Sequence, residues 1–169
     1  MTEEIINRVA KSPLVTINLE ELYPKGDRIA LDISQWLYEG IVLREKDFRA
    51  AVKQYNWAAY QDSYIAFYCS TDAIIPGWAY MLASLEASKY VKKTIVGTID
   101  ELNSILFSEI IISLPIENYI DKPVIINGCS SIVIPQNAFV LLAQRLKPYV
   151  KSIMYGEACS SVPLFKRNT

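Results

Sequence analysis

The sequence predicts an α/β fold: a three-layer sandwich around a mostly parallel sheet, with an internal β-α-β duplication. Three observations predict it. Short apolar runs alternate along the chain with segments of helical periodicity. The runs are continuous rather than alternating, as in parallel strands buried on both faces. Residues 60–97 also match residues 119–156 at a nearly constant offset. A length of 169 residues, 51% hydrophobic and 21% charged, suits one globular domain over residues 1–169.

The elements follow in order. Ile5 to Leu22 reads as a short helix or arm, then an extended piece at Leu14–Ile17, with Pro13 and Pro24 as breakers. Arg28–Ile33 is a buried strand, and Ser34 is placed to cap a short helix over Gln35–Tyr38 that ends at Gly40. Leu43, Phe48, Ala51, Val52 and Tyr55 recur at helical spacing and predict a helix over Arg44–Tyr55. Tyr64–Tyr68 is a strand by its apolar and aromatic content. Pro76–Tyr90 is a helix with proline at its first position. Thr94–Val96, closed by Gly97, is a strand, and Asp100–Ser113 a helix. Val124–Ile126 is a strand, Pro135–Val150 a helix cut short at Pro148, and Ser152–Tyr155 the last strand before an extended tail marked by Pro163. The buried set is expected to include Ile65, Phe67, Leu82, Ile95, Ile125, Leu141 and Ile153.

The repeat pairs Tyr60 with Tyr119, Asp62 with Asp121, Cys69-Ser70 with Cys129-Ser130, and Ile75-Pro76 with Ile134-Pro135. It continues through Tyr90 and Tyr149 to Gly97 and Gly156. Any two β-α-β units share apolar positions, but Cys-Ser and Ile-Pro are not generic core formers. Two copies are too few for a solenoid. They suggest a pseudo-twofold relation inside one sheet.

Composition excludes several functions. There is no histidine, so no Ser-His-Asp or Cys-His catalysis and no His-dependent zinc motif within one chain. A net charge of -1 lacks the footprint expected for nucleic acid or an anionic membrane, and neither is expected as a partner. The acidic Thr2-Glu3-Glu4 start is unlike a signal peptide, and no apolar run approaches the roughly 20 residues of a membrane helix. A cytoplasmic location with reduced thiols is the expectation.

Candidate chemistry gathers on the carboxyl edge of the predicted sheet, where open parallel sheets bind ligands. Cys69 and Cys129 each end a strand, and Cys159 follows the last one; each precedes a serine. They are either small apolar filler or a converging thiolate site for zinc or an iron–sulfur cluster, completed by Glu157, Asp72 or solvent. At least two of the three sulfurs should then lie in metal-sharing or thiol contact. Proline at the first helical position leaves Ile75 and Ile134 as N-caps that accept nothing. The first-turn N–H groups are then satisfied by Ser70, Thr71, Ser130 or Ser131, or else they hold a phosphate with those hydroxyls. Trp78 and Tyr80 are placed to wall a pocket beside Cys69, where the second copy has Asn137 and Phe139. In the charged start at Leu43–Arg49, Glu45 and Arg49 are spaced for an i,i+4 pair, with Arg44 and Arg49 also available to an acidic ligand.

Three stretches carry a family resemblance: LREKDFR from Leu43, CSTDAIIPGWAYML from Cys69 and KSIMYGEACS from Lys151. They resemble a small bacterial family of unknown function, DUF2480, over nearly the whole chain. The resemblance brings no catalytic residues. It implies a link to sugar-phosphate isomerisation, for which the chain has no matching motif and no histidine to open a ring. The expected function is a small-molecule- or metal-binding protein, forming a homo-oligomer, with its site around Cys69, Cys129 and Cys159. The alternatives are a phosphorylated-metabolite binder or sugar-phosphate enzyme using the serine loops, and a non-catalytic interaction module.

Overall fold

The computed structural model describes residues 13–128 and 132–168. Its elements run β1 (Val15–Asn18), β2 (Arg28–Asp32), α1 (Glu45–Gln54), β3 (Tyr64–Tyr68), α2 (Gly77–Ala87), β4 (Lys93–Val96), α3 (Ile99–Ser113), β5 (Pro123–Asn127), α4 (Gln136–Leu146), β6 (Ser152–Glu157) and β7 (Ser160–Lys166). This is the mixed α/β architecture read from the sequence. The helix or arm expected near the start falls before Pro13, outside the described residues.

The strands divide between two mostly parallel sheets, ordered β2-β3-β4 and β1-β5-β6-β7, where one sheet was expected. The chain likewise separates into two compact units. One is Lys25–Asn103; the other combines the chain up to Pro24 with the chain from Ser104 on. The matching repeat segments therefore fall in different sheets, not in one. Apolar runs locate strands, but they do not say which strand pairs with which.

In the Lys25–Asn103 unit, β3 is the central strand, parallel to β2 on one side and β4 on the other. Ile65 and Phe67 point into a core with Phe48 and Val52 of α1 and Ala79, Ala83 and Ala87 of α2. Trp36 and Trp57 complete it, edge-on to each other. In the other unit β5 is central, between β1 and β6, and its core gathers Val124, Ile126, Leu142, Leu146, Phe107 and Ile111.

Both segments of the repeat run strand–helix–strand with parallel pairing. The paired identities have local causes. Asp62 and Asp121 both adopt left-handed backbone, φ 61 and 57, a region aspartate tolerates. Their N–H groups donate to Tyr90 and Tyr149 carbonyls at 3.0 and 2.9 Å. Gly97 follows β4 and Gly156 lies next to the last residue of β6, at φ 143 and 110, open only to glycine at little strain.

Three sequence expectations are corrected. The buried stripe of α2 is Ala79, Ala83 and Ala87, and that of α4 is Ala138, Leu142 and Leu146; Leu82 and Leu141 are only half-buried. α2 is apolar on nearly every side, so its periodicity does not define which face is inside. Ile95 is half-buried because β4 is an edge strand. The tail is a strand: β7 pairs antiparallel with β6, and Pro163 sits on the sheet edge beside a register shift that absorbs its missing N–H.

Candidate functional site

The carboxyl ends of β2 and β3 lie side by side, with Asp32 paired to Tyr68. After β2 the chain turns through a short 3-10 segment, Ile33–Trp36. Its cap is Asp32, not Ser34: the Ser34 N–H donates to Asp32 Oδ1 at 2.9 Å. After β3 the loop Cys69–Pro76 passes the same carboxylate. The Ser70 N–H donates to Asp32 Oδ1 at 3.2 Å and the Ser70 hydroxyl to Asp32 Oδ2 at 2.5 Å. Ser34 Oγ and Ser70 Oγ are 3.2 Å apart. Thr71 donates its hydroxyl proton to the Gly40 carbonyl at 2.7 Å, and Cys69 Sγ lies 3.4 Å from Thr71 Oγ1. One loop is thus tied to two others through side-chain oxygens.

Burial pushes the Asp32 carboxyl up, but the Ser70 hydroxyl, the Ser34 N–H and hydroxyl and the Ser70 N–H together hold it below the ordinary value of 3.8. Asp32 is therefore ionised at neutral pH. Tyr80, in the first turns of α2, is pushed up by burial first and then by its neighbours Cys69 and Asp32, so it keeps its proton. Because the folded pKa of Asp32 is depressed, its bonds stabilise the fold above the unfolded value and are lost as pH falls through the lower folded value. The stability gap between wild type and Asp32→Asn should therefore shrink on acidification in paired denaturant titrations. A gap independent of pH would show that the carboxylate is not held ionised by these donors.

Beside this network lies an open groove of about 610 Å³, lined by Ile41, Val42, Leu43, Glu45, Asp72, Ala73, Ile74, Pro76 and Trp78. Ile74 is 93% exposed on its rim. The expected Glu45–Arg49 pair is formed at 2.9 Å, and the Arg49 guanidinium also lies 5.1 Å from the Trp78 ring centre. Arg44 stacks over Tyr38, 3.2 Å from its ring centre.

Scanned against known families, the chain matches "Protein of unknown function (DUF2480)" over residues 3–167. It belongs to the DUF2480 family. No curated protein matches it, and no solved structure does. DUF2480 membership thus assigns no chemistry, and the residues themselves must carry the functional reading.

The structure brings together Cys69, Ser70, Thr71 and Asp72 on one loop of this DUF2480 chain, with Trp78 at the start of the following helix. Glu157 and Cys159 belong to the other unit. Glu157 accepts from the Asn127 side chain at 3.3 Å, and Cys159 is exposed in the turn between β6 and β7. Cys129, Ser130 and Ser131 lie outside the described residues. Cys69 and Cys159 are free, and among the described residues no group of three histidine, cysteine, aspartate or glutamate side chains is placed to hold a metal.

The caps also differ from expectation. Pro76 and Pro135 are themselves the N-caps, one residue later than predicted, with no side-chain hydrogen bond. Ser70 and Thr71 do not cap α2, whose N-cap has no side-chain hydrogen bond; their own protons go to Asp32 and Gly40. Sequence reading missed Asp32, Ser34 and Gly40. The available signal was the Asp-x-Ser run at a strand end, where aspartate and serine compete for the same capping position.

Proposed function

We propose that this DUF2480 chain binds a small molecule at the carboxyl edge of the β2-β3-β4 sheet. The single observation that carries the reading is shared walling. The loop Cys69–Pro76 bears both the Asp32-centred hydroxyl network and one side of the groove, whose apolar side chains stand beside the Glu45 and Asp72 carboxylates. Ligand sites combine these features: a concave apolar wall and a few convergent polar groups at a parallel sheet's carboxyl edge. Asp32, Ser34, Ser70 and Tyr80 orient a polar group, while Trp78, Ile74 and Val42 cover an apolar one. The cytoplasm is the setting we propose. Among the described residues no helix is long and apolar enough to cross a membrane.

A thermal-shift screen of small metabolites against wild type and Ser70→Ala/Trp78→Ala tests this reading. At least one compound should raise the wild-type melting temperature and leave the double variant unmoved. Compounds that stabilise both proteins equally would place binding elsewhere.

A second reading, as an interaction module or homo-oligomer, draws on α2. Its Met81 and Leu85 are 66% and 67% exposed, one helical turn apart. Sedimentation of wild type and Met81→Lys/Leu85→Lys separates it from the first.

A further inference from the structure

Counting protons at the carboxyl edge narrows the ligand class. Each hydroxyl has one proton to give. That of Ser70 is committed to Asp32 Oδ2, so the Ser34 proton also runs inward, to Ser70 across the 3.2 Å contact or to Asp32 itself. That of Thr71 is committed to the Gly40 carbonyl, so Cys69 donates to Thr71. All four side-chain protons run inward. Asp32 Oδ1 already accepts two N–H groups, whereas Oδ2 accepts one hydroxyl and has room for another donor. The Ser34 oxygen likewise keeps lone pairs to offer. Tyr80, its hydroxyl pKa pushed up by burial, still carries its proton, and Trp78 carries an indole N–H.

We infer that this edge selects a ligand that donates, a primary ammonium carried on an apolar body, and turns away phosphate. The inference rests on the carboxyl-edge site proposed above. An ammonium brings three protons and a charge opposite to that of Asp32. Its apolar body lies along Ala73, Ile74, Pro76 and Trp78 in the adjoining groove. A phosphate would meet an ionised carboxylate and hydroxyls whose protons are already spent. The uncapped start of α2 favours an anion, but the fixed anion at this edge is Asp32 itself.

Calorimetric titration with phenethylamine and with phenyl phosphate, which share the apolar body and differ in the head group, tests the inference. Wild type should favour the amine by about tenfold or more, the worth of one charge-assisted hydrogen bond. Asp32→Asn removes the charge and places an amide N–H against Ser70, which turns the hydroxyl protons outward. Amine affinity should then fall by about tenfold or more, and the preference should move toward phosphate. If that variant does not fold, Ser34→Ala, which removes the outward lone pairs, should weaken the amine alone. Phosphate bound as well as or better than amine by wild type would overturn the inference and leave the site standing. An amine affinity unchanged in Asp32→Asn would also overturn it. Neither probe binding would overturn the inference and the site together.

Discussion

Phe67→Ala is expected to cost about 3–5 kcal/mol, the range for removing a large aromatic side chain from a packed core. Phe67 is 1% exposed at the centre of the middle strand of its sheet. Its ring meets Trp57 edge-on, with centroids 6.2 Å apart. Deletion removes that contact and leaves a void in a core shared with Phe48, Val52, Trp57 and the small alanines of α2. The loss is large against the roughly 5–15 kcal/mol that separates folded from unfolded domains. All three tryptophans lie within Lys25–Asn103, so tryptophan fluorescence reports this unit directly. A denaturation midpoint close to wild type would show that Phe67 is not enclosed as described.

Leu142→Ala should cost about 2–5 kcal/mol, while Leu141→Ala should cost clearly less. The two leucines are neighbours in α4, yet Leu142 is fully buried with Ala138 and Leu146, and Leu141 is half-buried beside them. A helix advances about 100° per residue, so adjacent positions cannot share one buried line. The pair is measured by urea titration followed by circular dichroism. Equal losses, or a greater loss at Leu141, would mean that the helix presents a different face to its sheet.

These faces mark where sequence reading stopped. Strand positions were legible because continuous apolar runs such as YIAFY and PVIIN have one structural use in an α/β chain. The inner face of α2 was not legible, because Trp78, Ala79, Met81, Leu82 and Leu85 surround the helix with apolar groups. Size decided the matter: alanine lets a helix lie close on a sheet, and Met81 and Leu85 were left outside. The division into two sheets was hidden too, since β1 and β2 read alike and differ only in choosing β5 or β3 as partner.

The candidate site was half legible. Cys69, Ser70, Thr71, Asp72 and Trp78 were found from their place after a strand, and that place holds. Asp32 holds Ser70 among them, yet lies 38 residues before it and reaches it only through parallel pairing of β2 with β3. No local pattern encodes such a contact. The repeat, by contrast, was visible where backbone geometry demanded a residue type, as at Asp62 and Asp121.

Amide chemical-shift mapping of the labelled protein, titrated in turn with phenethylamine and phenyl phosphate, tests the central claim most directly. The account predicts that whichever probe binds moves the signals of Ser34, Ser70, Thr71 and Ala73 together with the Trp78 indole N–H. Shifts gathered around Asn127 and Glu157 in the other unit, with the β2-β3 edge silent, would contradict it.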